Sequence, residues 1–80
     1  MDKIVSVAAL ADGYLKVTFS DGRTGEFDVK PFMRSEFFAP LSDHDNFAQV
    51  GLFFSGMGWP SGQDLRPDSI SAQLLVTEHP

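Results

Sequence analysis

The chain has no cysteine, which removes disulfide staples, Cys-ligated zinc and thiol nucleophiles and leaves stability to packing. It has no apolar run near the ~18 residues of a membrane span, and Met1-Asp2-Lys3-Ile4-Val5-Ser6 lacks the apolar core of a signal sequence. No membrane partner is expected, and the simplest location is the cytoplasm. Positive charge is scarce: six Lys and Arg stand against eleven Asp and Glu, a net charge of -5. Lys3, Lys16, Arg23, Lys30, Arg34 and Arg66 are scattered along the chain. No basic patch is therefore available to release counterions from a phosphate backbone, so direct nucleic-acid binding is not expected. A small basic protein suits this charge better as a partner. Histidine is confined to His44 and His79, and there is neither a G-x-S-x-G elbow nor a phosphate-cradling glycine loop. No catalytic residue and no cofactor is assigned, and the chain is not expected to be an enzyme.

What is present is enough for a fold. With 80 residues, 42% of them hydrophobic and 21% charged in an intermixed pattern, the chain reads as one globular domain over residues 1–80, neither disordered nor divisible into two cores. Ile4 to Leu10 is a β-branched and small apolar run ending at the turn-like Ala11-Asp12-Gly13. Tyr14 to Phe19 alternates, sending Leu15, Val17 and Phe19 to a core face. The register of the next hairpin follows from keeping like with like. A two-residue Asp21-Gly22 loop sets Val17 opposite Glu26, whereas a three-residue loop pairs Leu15 with Phe27, Lys16 with Glu26, Val17 with Gly25 and Thr18 with Thr24. The longer loop is predicted, a type I turn closed by Gly22 in the left-handed conformation as a bulge.

Lys30-Pro31 ends the ladder. From Phe32 to Phe47 the chain is too broken for a long helix but rich in apolar side chains, which predicts short helical turns over the sheet, one of them capped by Ser42 or Asp43 and anchored by Phe47. Gln49 to Ser55 reads as a fourth strand, Gly56-Met57-Gly58 as a turn into a short fifth strand at Trp59, and Pro60 places that strand at an edge. Ser61 to Leu65 reads as a loop. Pro67 opens a terminal helix with Ile70 and Leu74 on one face, and residues 76–80 are expected to fray. The fold class is α+β: a small antiparallel sheet, an N-terminal three-stranded meander plus a short C-terminal hairpin, packed against short helices.

Three groups of residues invite a functional reading. Asp43-His44-Asp45 is the most ligand-like, but adjacent side chains diverge on a helical turn and one chelating face needs i,i+3 or i,i+4 placement, so no metal site is assigned. Trp59 to Asp68 combines the sole Trp, a turn and alternating charge around Leu65. Trp and Arg are frequent interface anchors, whereas the bland alternative makes Trp59 a cap on the core and ties Asp64 to loop amides. The eight phenylalanines are ample for a core, yet Phe53 and Phe54 in one strand must point to opposite faces, so one of them leaves the core face. Phe37-Phe38 carries the same question of exposure.

Taken in order, Val17-Thr18-Phe19-Ser20-Asp21-Gly22-Arg23-Thr24-Gly25-Glu26-Phe27-Asp28, Phe38-Ala39-Pro40-Leu41, Phe47-Ala48-Gln49-Val50 and Trp59-Pro60-Ser61-Gly62-Gln63-Asp64-Leu65 ahead of Pro67-Asp68 give the chain a family likeness. It resembles the small bacterial proteins grouped as domain of unknown function 2442, over most of its length. Ser61 stands where the family often has Asn, and Ser69-Ile70-Ser71 where a bulkier, often Tyr-containing helix start is common. The resemblance implies a small α+β domain with no catalytic residues to carry over. Some relatives look fused to a helix-turn-helix domain, and others look encoded beside a second small protein in an arrangement like a toxin–antitoxin pair. That analogy implies an acidic, antitoxin-like or regulatory binding module.

The leading expectation is thus a non-enzymatic protein-interaction module contacting its partner through Trp59, Asp64, Arg66 and nearby apolar residues. The alternative is a small-ligand or metal-binding sensory domain using Asp43, His44 and Asp64. A third reading is a homo-oligomer pairing through an exposed strand edge.

Overall fold

The computed structural model describes residues 3–53 and 56–78. Strands β1 (Ile4–Ala9), β2 (Tyr14–Phe19) and β3 (Thr24–Asp28) are followed by two 3-10 turns, Lys30–Arg34 and Ala39–Ser42, and the single-turn helix α1 (His44–Phe47). Then come β4 (Gly51–Phe53), β5 (Gly56–Gly58), β6 (Asp64–Leu65), helix α2 (Pro67–Gln73) and β7 (Leu75–Glu78). The strands form a four-stranded antiparallel sheet in the order β1-β2-β3-β7 and a three-stranded antiparallel sheet in the order β4-β5-β6. The α+β class and its N-terminal meander are as the pattern predicted.

The β2–β3 hairpin has the predicted register, Leu15 opposite Phe27, Lys16 opposite Glu26, Val17 opposite Gly25 and Thr18 opposite Thr24. Its loop closes with the Phe19 amide donating to the Arg23 carbonyl at 2.8 Å and the Gly22 amide donating to the Phe19 carbonyl at 3.0 Å, with Gly22 at φ 96. A β-branched side chain is strained there, so Gly22→Val is expected to lower stability by about 1–2 kcal/mol. Urea denaturation measures this, and an unchanged midpoint would refute the assignment.

The same device recurs unannounced. The Trp59 amide donates to the Gln63 carbonyl at 2.9 Å, the Gly62 amide donates to the Trp59 carbonyl at 2.9 Å, and Gly62 has φ 105. Trp59-Pro60-Ser61-Gly62-Gln63 therefore repeats the geometry of Phe19-Ser20-Asp21-Gly22-Arg23, with Pro60 in the position where its fixed φ suits a type I turn. The consequence is a strand, β6, inside the segment expected to be loop.

Gly56-Met57-Gly58 is likewise strand and not turn, and Trp59 follows β5 instead of lying in it. The glycines are needed because β6 passes close: a Cβ on Gly56 would lie 2.6 Å from the Leu65 carbonyl oxygen, and one on Gly58 would lie 2.8 Å from that of Gln63. The expected fourth strand is realised as Gly51–Phe53, while Phe54 and Ser55 lie outside the described residues. Helix α2 begins at Pro67 as predicted and buries Ile70, but it ends at Gln73, and the extended Leu74 turns the chain into β7. Residues up to Glu78, expected from Val76 onward as a frayed tail, form a strand on β3; His79 and Pro80 lie outside the described residues.

The core follows the alternation. Leu15, Val17, Phe19 and Phe27 of the first sheet, with Val29 just beyond β3, pack with Leu41, Phe47, Met57, Trp59, Leu65 and Ile70. Ring contacts join the layers: Phe27 to Phe32 with centroids 5.9 Å apart, Phe32 to Phe38 at 5.6 Å, and Phe47 to Trp59 at 6.1 Å. Among the described residues, no buried side-chain nitrogen or oxygen lacks a partner.

Candidate interaction surface

The pairing in the second sheet decides which side chains share a face. Met57 lies opposite both Leu52 and Leu65; Met57 and Leu65 are buried and face the core, while Leu52, at the outer end of the same row, is 46% exposed. The alternate row places Gly51, Gly58 and Asp64 side by side, with Phe53 opposite Gly56. Arg66 continues β6 in extended conformation, φ -87 and ψ 150, which returns its side chain to the face of Asp64. Among the described residues, the outer face therefore carries one aromatic ring, three glycines and two opposite charges. Phe53 is 49% exposed, and its ring edge lies 3.2 Å from where a Gly58 Cβ would sit, a point 3.4 Å from Asp64 Cβ. The ring lies across bare backbone toward Asp64. Among the described residues, the glycines of the facing strands offer no side chain to cover it.

Trp59 stands behind this face. It is 2% exposed, its Nε1 donates to the Phe47 carbonyl at 2.9 Å, and its ring stacks on Phe47. Gln63, also buried, donates from Nε2 to the Phe37 carbonyl at 2.7 Å and accepts from Ser61 Oγ at 2.5 Å. These bonds fix the Trp59–Gln63 turn against the helical layer, and so hold β5 and β6 in place. Of the three residues expected to contact a partner, Asp64 and Arg66 are brought together on the surface, while the Trp59 side chain supports them from the core. Phe53 was legible only as one of an adjacent pair.

The other expected constellation is dispersed. Asp43 Oδ1 accepts from the Asp45 amide at 3.1 Å, capping α1 as its position predicted, while Asp64 belongs to the second sheet. Among the described residues, no three His, Asp or Glu side chains gather where they could hold a metal ion. Phe37 is 57% exposed and meets Phe38 edge-on, while Phe38 is half-buried against the core.

Among the described residues, ion pairs at Arg23 and Lys30 border the first sheet. Arg23 Nε donates to Asp21 Oδ2 at 2.8 Å, and its guanidinium lies 4.7 Å from the centre of the Phe19 ring. Lys30 Nζ lies 2.9 Å from Asp28 Oδ1, donates to the Asp12 carbonyl at 2.9 Å and sits over the Tyr14 ring. Partial burial pushes the Asp28 carboxyl up, but hydrogen bonds from the Lys30 side chain and amide, with the Lys30 charge, outweigh it and hold the carboxyl below its usual range. The same bond to Asp28 raises the ammonium of Lys30.

Comparison with known proteins adds one finding. A family model described as Protein of unknown function (DUF2442) matches residues 4–74. No curated protein and no solved structure matches the chain. Among the described residues, no helix is long and apolar enough to cross a membrane.

Proposed function

The chain belongs to the DUF2442 family, whose description assigns neither a reaction nor a ligand, and from that premise we propose that it is a non-enzymatic protein-interaction module, antitoxin-like or regulatory, that binds a basic protein in the cytoplasm. The observation that carries the reading is the outer face of the second sheet, where Phe53 lies half-exposed on a glycine floor beside Asp64 and Arg66. An aromatic ring lying over glycine backbone offers a rigid apolar anchor at low entropic cost. The net charge of -5 selects the partner's sign and speeds encounter with a basic surface. Asp64 supplies a local contact for a partner Lys or Arg, and Arg66 excludes partners whose positive charge falls one position out of register.

The test is co-purification of the tagged chain expressed at native level in its source, with the captured protein identified and its affinity then measured on purified material. Wild type is expected to retain a stoichiometric basic protein. Phe53→Ser, which removes only a surface ring, is expected to weaken it at least about tenfold, with a smaller loss for Asp64→Lys. Retention of full affinity by both variants in folded form, or capture of no basic protein by the folded wild type, would refute the proposal.

A further inference from the structure

A cavity of about 300 Å³ opens between the β1–β2 turn and the helical layer, on other elements than the interaction surface. Asp12 and Lys30, with Ser42 and His44 from the second 3-10 turn and α1, bring polar groups to its lining, and Met33, Leu41 and Phe47 bring apolar ones. Its size is at the lower end of ligand pockets, and its make-up, an apolar wall with a few converging polar groups, is theirs too.

The charges decide what fits. Lys30 is already engaged: its ammonium meets Asp28 Oδ1, the Asp12 carbonyl and the Tyr14 ring. The carboxylate of Asp12, the hydroxyl of Ser42 and the ring nitrogens of His44 make no hydrogen bond to another described residue. The Asp12 carboxylate is therefore the charged group of the lining that has no hydrogen-bond or ion-pair partner among the described residues, and Asp12 is held at φ 59, a conformation that Asp and Asn tolerate better than other residues with a Cβ. We propose that this cavity binds a small amphipathic amine, its apolar ring or chain against Met33 and Phe47, its ammonium on the Asp12 carboxylate, with Ser42 and His44 available to a further polar group. The acidic chain as a whole favours the same sign of ligand. An anion would meet Asp12 with no free cation to offset it.

Benzylamine, benzyl alcohol and benzoate serve as probes of equal shape and different charge, titrated into the ¹⁵N-labelled full chain while amide chemical shifts are followed. Benzylamine is expected to give saturable shifts at Asp12, Gly13, Met33, Ser42 and His44, benzyl alcohol weaker ones at the same amides, and benzoate the weakest. Asp12→Asn keeps a residue suited to positive φ and is expected to weaken benzylamine about tenfold, the usual worth of a hydrogen bond to a charged group. Met33→Lys, on a different element, should abolish the shifts through bulk and repulsion, so the test survives a misfolded Asp12→Asn. Binding of benzoate as tight as that of benzylamine, benzylamine affinity unchanged in the folded variants, or no saturable shift with any probe would each overturn the assignment.

Discussion

Gly25→Val is expected to detach β7 and to lower stability by about 2–3 kcal/mol, in the range for forcing bulk into a filled site. Gly25 pairs with Val17 on one side and with Val76 on the other, at a point where the register with β7 shifts. A Cβ on Gly25 would lie 2.5 Å from the Leu75 carbonyl oxygen, 2.8 Å from Leu74 Cγ and 2.9 Å from the Leu75 carbonyl carbon. Two of these three neighbours are backbone, which has no rotamer by which to withdraw. The strand must therefore move as a whole, drawing on α2 and on Ile70, which is fully buried at its centre. Gly25→Ala has the same sign with a smaller effect. Urea denaturation gives the stability loss, and hydrogen exchange should show amides of β7 opening well before those of β1 and β2. A Gly25→Val protein with the wild-type midpoint and a protected β7 would show that the strand is not seated over this residue.

Trp59→Ala is expected to be costlier, about 3–5 kcal/mol for the lost ring. It also deprives the Phe47 carbonyl of its indole donor. Against the roughly 4–12 kcal/mol expected for a domain of this length, the variant is near unfolding at ambient temperature. Trp59→Phe separates the two contributions: most of the stacking on Phe47 survives while the hydrogen bond does not, and a loss of about 1–3 kcal/mol is expected. Thermal unfolding of both variants checks this, and a Trp59→Ala protein as stable as wild type would contradict the burial. The result also governs how binding data are read. Loss of a partner on Trp59→Ala would report a collapsed sheet, whereas the same loss on Phe53→Ser reports contact.

The β2–β3 hairpin was legible because its alternation is long enough to score competing registers, and only one keeps Leu15 against Phe27 and Lys16 against Glu26. The second sheet was not, because β6 is two residues and too short to alternate. The readable signal was in its turn: Trp59-Pro60-Ser61-Gly62-Gln63 has a Gly in the same place as Phe19-Ser20-Asp21-Gly22-Arg23. Recognising the repeat would have supplied β6, and counting back through Gly58 would have put Trp59 on the buried side with Met57. β7 was hidden for another reason. Its Leu75 is 65% exposed, so its apolar residues do not announce an inward face, and what admits the strand is the missing side chain at Gly25. Of the candidate surface, Asp64 and Arg66 were readable only as opposite charges flanking Leu65 in a segment read as loop; β6 puts them on one face, and Phe53 joins them only through pairing with β5. The cavity assembles segments near residues 12, 30, 42 and 44 that no local pattern connects.

The closure of the first sheet by β7 also sets an order in time. The turns joining β1 to β2 and β2 to β3 span a few residues and close quickly, whereas Gly25 and Val76 meet only after a loop of about fifty residues has been ordered, at a greater entropic cost. β7 is thus expected to be the last strand to arrive and the first to leave. Each departure bares the ladder groups of Thr24 to Glu26, and any extended segment in reach can then take the vacant place. Self-association of this protein should accordingly be limited by the rate of a brief internal opening, and a crowded solution would trap the molecule in the interval when its own strand is away.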